Sequence, residues 1–299
     1  MLELADHAFF ARAVRYNIMN LPVHVKTLRD NSFTQSDSRS LRDLDRALNP
    51  DAIRLLTFNI QVGIHTQAFR DYVTQGWRHV LPHRERHQNL LKVADLIRDF
   101  DLVGLQEVDG GSLRSGFINQ VEYLAARARL PYWYSQTNRD FGPLAQHGNG
   151  LLARVSPREL EDHKLPGMIP GRGAVVARWP LAGYPQDDDL LVVMLHLSLG
   201  HRSRKRQLAA VRRFVEGHKN VVVMGDMNTL SSQLHRRSEL RAANLRPAAD
   251  LLPTYPAWQP QLALDRFYVS ENVQVKSSQT LACAVSDHLP LAIEIAVQP

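Results

Sequence analysis

The chain has 299 residues, 44% of them hydrophobic and 22% charged, which is the composition of a globular protein that buries a large core. Its single cysteine, Cys283, excludes an internal disulfide framework, and no apolar run reaches the roughly 20 residues of a membrane-spanning helix. A net charge of +6 favours acidic partners, namely phosphates, nucleic acid or an anionic membrane surface. Because the N-terminus lacks the pattern of a secretory signal, we expect a cytoplasmic protein, with peripheral membrane contact as an alternative.

The first fifty residues differ in pattern from the rest of the chain. Residues 1–50 are predicted to form a helix, a polar linker and a short second helix that ends before Pro50. Apolar residues recur at helical spacing between Leu4 and Ile18. Two interpretations stay open, an extra helix packed on the main domain or an amphipathic element that lies on a membrane surface. We therefore divide the chain into an N-terminal extension and linker, 1–50, and one domain, 51–299.

From residue 51 onward, apolar strand patterns alternate with helical patterns. Hairpin-like pairs of strands mixed with crossover helices predict an α/β fold of mixed sheets with helices outside, rather than a purely parallel sheet. The predicted strands are 53–60, 101–108, 132–137, 148–155, 173–179, 190–197, 220–225, 264–270, 273–277 and 288–297, and the predicted helices are 85–100, 119–130 and 204–217.

Polar side chains stand at one end of six of these apolar segments. Leaving one such group buried and unpaired costs about 1–3 kcal/mol, so six of them without a common purpose would destabilise the fold. Convergence on one site at the sheet edges explains the pattern. The residues concerned are Asn59, Glu107, His196, Asp226 with Asn228, Asp265, and Asp287 with His288.

The residue types indicate metal-assisted chemistry on a phosphoester. Glu107 and Asn59 offer hard oxygen ligands, which suit Mg²⁺ or Mn²⁺ rather than Zn²⁺, and Asp287 could add a further carboxylate. Asp226 is placed to orient or deprotonate water, and the amide of Asn228 can donate to a phosphoryl oxygen. Since this set contains no covalent nucleophile backed by a base, direct attack by water is favoured.

Seven motifs, taken in chain order, resemble those of the endonuclease/exonuclease/phosphatase superfamily. They are "TFNI", "LQEVD", "GNGLLAR", "LHLS", "GDMN", "LDRFYVS" and "SDHLP", and the pair formed by "GDMN" and "SDHLP" is the most specific. The resemblance covers about residues 51–299, which would then be the catalytic domain. It implies a four-layered α/β/β/α sandwich, similar to deoxyribonuclease I, with the site at one end of two packed sheets.

The resemblance also implies roles for the carboxylates and amides. Glu107 resembles the main metal ligand, with Asn59 as its neighbour and Asp287 beside the metal and the water. Asp226 and Asn228 resemble the pair that handles water and binds phosphate.

Two histidines and an arginine complete the resemblance. His288 resembles the catalytic imidazole that contacts phosphate, oriented by Asp265. His196 resembles the general-acid histidine of the deoxyribonuclease, sphingomyelinase and inositol phosphatase branches. Abasic endonucleases resemble one another in a tyrosine near that position, which counts against an abasic-site role. Arg172, in "PGRGAVV", matches an arginine that several members place near the phosphate.

These observations predict a Mg²⁺- or Mn²⁺-dependent phosphoesterase, and more narrowly a phosphodiesterase acting on a lipid or small-molecule phosphodiester. An endo- or exonuclease on DNA or RNA is the alternative, favoured by the basic segment 201–213. A catalytically silent member that only binds phosphorylated ligands or partner proteins is the third hypothesis, opposed by the completeness of the motif set.

One further segment bears on the substrate. Residues 65–90 resemble an insertion bordering the site, and their aromatic residues and arginines could shape substrate choice. The same segment carries His79, His83 and His87 at intervals of four, the spacing of a helical metal site, although Pro82 interrupts that face.

Overall fold

The computed structural model describes residues 47–63, 84–167, 171–229, 239–249, 251–283 and 285–298. Most of the N-terminal extension and most of the 65–90 segment, including His79 and His83, lie outside the described residues. His87 is described, and its ring lies 5.6 Å from that of Tyr123. The division of the chain at residue 50 therefore stays a prediction.

Two mixed six-stranded sheets form the centre of the described structure. Their strands, in chain order, are β1 (Ile53–Asn59), β2 (Leu102–Val108), β3 (Tyr132–Asp140), β4 (Gln146–Ala153), β5 (Glu159–Lys164), β6 (Gly173–Trp179), β7 (Leu190–His196), β8 (Asn220–Asp226), β9 (Arg246–Pro247), β10 (Asp265–Val269), β11 (Val273–Thr280) and β12 (Leu291–Val297). The first sheet has the order β11-β12-β1-β2-β4-β3, and the second has the order β5-β6-β7-β8-β10-β9.

Each sheet contains one parallel pair at its centre, β1 with β2 and β7 with β8, and the other strand pairs are antiparallel. A helix crosses over between the members of each parallel pair, as the geometry of parallel strands requires. The helices are α1 (Arg84–Ile97), α2 (Gln120–Ala128), α3 (His201–Val215) and the short α4 (Glu239–Ala242). Among the described residues, no helix has the length and apolar character for crossing a bilayer.

Three apolar clusters define four layers. The central cluster lies between the sheets and contains Leu55 of the first sheet and Trp179 of the second. The outer face of the first sheet packs on α1 and α2, and the outer face of the second packs on α3 and α4. At Gly104 the sheets approach so closely that a Cβ atom would stand 2.7 Å from a side-chain atom of Met194. The predicted α/β/β/α sandwich is confirmed.

Each predicted strand and helix of residues 51–299 is present, with its ends shifted by at most three residues. The sequence patterns missed β5 and the two-residue β9. Both are edge strands, and the sequence of β5, Glu159–Lys164, is mostly charged. An edge strand that faces water carries little apolar alternation, so its pattern resembles that of a polar loop.

Candidate active site

Three strands of the second sheet bring polar residues into one row at the edge of the sandwich. His196 ends β7, Asp226 ends β8 and Asp265 begins the antiparallel β10. The strand register pairs His196 with Asp226, and Asp226 with Asp265. All three side chains are buried. Their alignment follows from the pairing of the strands, so it needs no special loop.

Asp226 is the centre of the row and the link to the first sheet. Nδ2 of Asn59, at the end of β1, lies 3.3 Å from Oδ2 of Asp226 and 3.3 Å from Oε1 of Glu107. Nε2 of His196 lies 3.4 Å from the same Asp226 oxygen, and the backbone N–H of Asn228 donates to Oδ1 over 2.8 Å. Burial raises the pKa of Asp226 to about 6. The side-chain amide of Asn59 therefore contacts one carboxylate from each sheet.

Glu107 reaches this position through an irregular backbone. Its φ is +56°, and the pairing of β2 with β4 shifts register between Gln106 and Val108, which marks a β-bulge. A left-handed φ is unfavourable for a glutamate, and bulges commonly re-aim a side chain beside an active site. Nothing in the local sequence signals this conformation. Glu107 is the half-buried acid of the group, whereas Asp226 is fully enclosed.

His288 is held as a charged imidazole by a buried carboxylate. Its Nδ1 lies 2.7 Å from Oδ2 of Asp265, and that oxygen also accepts from Oγ1 of Thr254 over 2.6 Å. Burial opposes protonation of His288, but the neighbouring carboxylates, with Asp265 the strongest, outweigh it and raise the pKa to about 10. The ring of Tyr255 packs at 5.0 Å from the imidazole. His288 is therefore an imidazolium at neutral pH.

His196, unlike His288, is a neutral imidazole. Nη1 of Arg172 lies 2.9 Å from Nδ1 of His196, and a guanidinium can only donate. Nδ1 is therefore the acceptor, and the proton of the neutral ring is on Nε2, which faces Asp226. Burial first, and then the charge of Arg172, lower the pKa of His196 well below its usual range.

The loop before β12 is tied to the first sheet. Oγ of Ser286 donates to the backbone carbonyl of Asn59 over 2.7 Å, and the N–H of Ala257 donates to the carbonyl of Asp287 over 2.7 Å. Asp287 is buried beside His288. Nδ2 of Asn228 donates to the carbonyl of Leu197 over 2.9 Å, which fixes its amide next to β7. All eight residues selected from the sequence thus lie at one end of the sandwich.

Two groups of side chains could be considered for a metal ion. Ligand atoms of Asp226, Asp265 and His288 lie within 4.8 Å of one another. His288 is a poor ligand there, because it is protonated and its Nδ1 is bonded to Asp265. The oxygen donors around Glu107 are the better fit for a hard divalent cation. In this arrangement Oδ1 of Asn59 accepts the N–H of Gln61 over 3.1 Å, so the amide presents nitrogen to the carboxylates.

Sequence reasoning missed three residues that build the site. Thr254 and Tyr255 lie on a loop without any periodic pattern, so no local signal could have identified them. Ser286 stands immediately before Asp287 in "SDHLP", and its position in that motif was an available signal.

The fold and site define a class of protein, the α/β/β/α sandwiches with a row of acids and imidazoles at one end of the sheets. The sequence model of the Endonuclease/Exonuclease/phosphatase family matches residues 56–288. The chain belongs to this family of hydrolytic phosphoesterases. No curated protein matches the chain significantly.

Solved structures share the fold at low sequence identity. An endonuclease/exonuclease/phosphatase from Beutenbergia cavernae is 18% identical, with a TM-score of 0.66 over 83% of this chain and 72% of that one. A mannosyl-6-phosphatase from Bacteroides thetaiotaomicron is 16% identical, with a TM-score of 0.60 over 82% and 99%. TDP2 of D. rerio, solved with a single-strand DNA product, is 17% identical, with a TM-score of 0.55 over 82% and 99%. These likenesses establish the fold, and the different substrates named leave the substrate of this chain undefined.

Proposed function

We propose that the protein is a phosphodiesterase that hydrolyses a lipid or small-molecule phosphodiester by direct attack of water. The observation that carries the proposal is the enclosure of Asp226, whose carboxylate meets an amide from β1 and an imidazole from β7 within 3.4 Å. In this role Asp226 orients the water and accepts its proton as the new phosphorus–oxygen bond forms, and the alkoxide released from phosphorus takes up a proton from solvent water. Its pKa of about 6 supports the role, because such a carboxylate is mostly ionised at neutral pH and more basic than an exposed one.

The residues around Glu107 would hold a Mg²⁺ or Mn²⁺ ion. We assign Glu107 as the main ligand, Asp287 as a further carboxylate, and Asn59 as a ligand once its amide turns to present Oδ1. When bound, the ion neutralises phosphate charge and polarises the scissile phosphorus–oxygen bond. The convergence of the carboxylates of Glu107 and Asp226 on Nδ2 of Asn59 supports the assignment, because oxygen donors of two acids lie within 3.3 Å of this one point.

His288 and Asn228 would bind the phosphoryl oxygens. Asp265 occupies Nδ1 of His288, so Nε2–H is the atom that donates to the substrate. An imidazolium in a buried site stabilises the charge that develops on the phosphoryl group without reorganising during the reaction. Asp265 is a positioning residue for His288, and Thr254 holds Asp265 in turn.

His196 is proposed as a neutral hydrogen-bond donor rather than as the general acid that the resemblance implies. A general acid must be protonated before it can give up its proton, and the lowered pKa of His196 keeps the ring neutral at the pH of the cell. Arg172 fixes the tautomer, so that Nε2–H points toward Asp226 and the reacting phosphate.

A nuclease is the second candidate, and helix α3 is the observation that favours it. This helix begins five residues after His196 and exposes Arg202, Lys205, Arg206 and Arg213. The cations at the start of this helix, next to the site, would contact phosphates of a bound nucleic acid, and such binding would weaken steeply with salt. The third hypothesis, a silent phospholigand-binding member, would leave the complete set of catalytic groups without a use.

The experiment that tests the proposal is hydrolysis of bis-(p-nitrophenyl) phosphate compared with p-nitrophenyl phosphate. Each is measured with Mg²⁺, with Mn²⁺ and with EDTA, and the Asp226→Asn variant is the control. We expect metal-dependent cleavage that favours the diester and is lost in the variant. Faster cleavage of the monoester would replace the phosphodiesterase with a phosphatase, and no cleavage under any condition would favour the silent member.

A further inference from the structure

The end of the sandwich that contains the site also contains most of the exposed apolar side chains. Among the described residues, six large hydrophobic side chains are between 40% and 75% exposed. Five of them lie on loops at the site end of the sheets, and the sixth, Leu251, lines a pocket with Leu252 and Asp265. We call the five the apolar rim: Phe117, Phe141, Leu144, Leu199 and Trp258.

Three rim residues lie on the first sheet's side of the site. Phe117 is in the loop that follows β2 and Glu107, and Phe141 and Leu144 are in the hairpin that joins β3 to β4. The N–H of Leu113 donates to the carbonyl of Pro143 over 2.7 Å, so the loop and the hairpin form one unit.

The remaining two rim residues lie on the second sheet's side. Leu199 stands three residues after His196, at the start of the turn into α3. Trp258 follows Ala257, whose N–H donates to the carbonyl of Asp287 over 2.7 Å. The rim therefore has members on both sides of the candidate site.

A buried polar network holds the loop that presents Phe117. The carboxylate of Asp109 accepts Nε of Arg114 over 2.9 Å and both the N–H and the hydroxyl of Ser112, and this ion pair is almost fully buried. Arg114 also contacts Nε2 of His147, at 3.0 Å. The loop thus turns its charged groups inward and leaves its aromatic residue outside. Monomeric proteins rarely expose grouped apolar side chains unless the surface binds something apolar.

We propose that the apolar rim docks on an anionic phospholipid surface, so that a lipid headgroup supplies the scissile phosphodiester. The substrate part of this inference rests on the proposed function, whereas the docking does not. Charge complementarity supports an anionic partner, because Arg139, Arg202, Lys205 and Arg206 are exposed around the same edge and the chain carries a net charge of +6. Leucines at two of the five positions favour lipid over nucleic acid, because aliphatic side chains insert among acyl chains but offer no face for stacking bases.

The test measures co-sedimentation of the full chain with vesicles, in EDTA so that no turnover occurs. The vesicles are phosphatidylcholine alone or with 30% phosphatidylglycerol, and a single-stranded oligonucleotide is titrated in parallel. We expect tighter binding to the anionic vesicles and at least a tenfold loss of that affinity in Phe117→Ser/Phe141→Ser and in Leu144→Ser/Leu199→Ser. Lys205→Glu/Arg206→Glu should lose the preference for anionic vesicles. The control, Gln298→Ser, changes an exposed side chain after β12 at the opposite end of the sandwich and should bind as the wild type does.

Three outcomes would overturn the proposal. They are absence of vesicle binding by the wild type, rim variants that bind vesicles normally, and rim variants that lose only oligonucleotide binding. Hydrolysis of bis-(p-nitrophenyl) phosphate separates this inference from the proposed function, because the rim variants should retain it within twofold. A wild type that docks on vesicles but hydrolyses neither nitrophenyl ester would refute the proposed function and leave the docking intact.

Discussion

The two ends of the sandwich distribute charge in opposite ways. At the end where β1, β2, β7 and β8 finish, Asp226 and His288 are enclosed, while Phe141 and Leu199 face solvent. At this end of the sandwich, charged side chains are therefore buried and apolar side chains are exposed, which is the reverse of the usual distribution. Each enclosed charged group there has an ion-pair or hydrogen-bond partner, because a buried charge without a partner would be strongly destabilising.

At the opposite end, most charged pairs of the described residues are on the surface, and the buried exception, Asp189, accepts from Nε of Arg158 over 2.8 Å. Arg98 pairs with Asp95 at 2.6 Å, and Lys219 pairs with Asp188 at 2.9 Å, with both partners partly or well exposed. Exposed pairs of this kind contribute only about 0–1 kcal/mol. Buried charges, unlike these exposed pairs, are tolerated only when partners hold them, so their convergence at the first end indicates function.

Replacing Asp226 should produce the largest effect. We expect Asp226→Asn to lower kcat by about 10³-fold or more, because the amide cannot accept the proton of the attacking water. The folded-state pKa of Asp226, about 6, is above the unfolded value of 3.8. The contribution of Asp226 to the free energy of unfolding therefore decreases as the pH rises from about 4 to 6. Urea unfolding in EDTA should show this decline in the wild type and a flatter profile in the variant. Near-normal turnover would remove Asp226 from the mechanism.

His288→Gln should also reduce activity, by about 10²-fold, since the imidazolium that stabilises the phosphoryl charge is lost. The folded pKa of about 10 exceeds the ordinary value of 6.5, so the stabilising contribution of His288 is complete below pH 6.5 and is lost as pH rises through 10. The wild-type free energy of unfolding should therefore fall between pH 7 and 10 more than that of the variant. Parallel curves for the two proteins would contradict the assigned charge state.

Glu107→Gln should change the metal requirement more than the fold. A neutral amide is a weaker ligand for a hard cation than a carboxylate, so we expect the half-saturating Mg²⁺ concentration to rise at least tenfold. Activity titrated against Mg²⁺ and Mn²⁺ provides the measurement, with thermal unfolding as the check on folding. An unchanged titration would exclude Glu107 as a ligand.

Arg172→Met should lower kcat by about 10-fold, because His196 loses the donor that fixes its tautomer. Side-chain ¹⁵N NMR of the wild type should show the His196 proton on Nε2, and the variant should show a mixture of tautomers. Arg172→Lys, which keeps the charge and one donor, is the matched control and should recover most of the activity. A wild-type spectrum with the proton on Nδ1 would refute the assignment.

The smallest effects are expected at the opposite end. Arg98→Gln and Lys219→Gln should each change the free energy of unfolding by less than about 1 kcal/mol and leave hydrolysis unchanged. Denaturant curves and the diester assay measure both quantities. A large loss of stability or of hydrolysis in either variant would contradict the view that only the site end carries functional charged groups.

Sequence patterns predicted the fold well where strands are central and apolar. β7 and β8 are buried along their whole length, and their continuous hydrophobic runs ended at the polar residues that the structure places in the site. The patterns failed where a strand is at an edge, as in β5. They also failed where a conformation is irregular, as in the left-handed φ of Glu107, which lies at the register shift in the pairing of β2 with β4.

By itself the sequence determined which residues stand at the ends of the strands, because alternation and apolar runs are local properties of the chain. Only the tertiary structure decided how those residues act on one another. Asn59 and Asp226, 167 residues apart, come into contact because the two sheets pack face to face. The different charge states of His196 and His288 have the same origin, since the pKa of an enclosed imidazole depends on its surroundings: burial and then an arginine lower it in His196, and carboxylates raise it in His288.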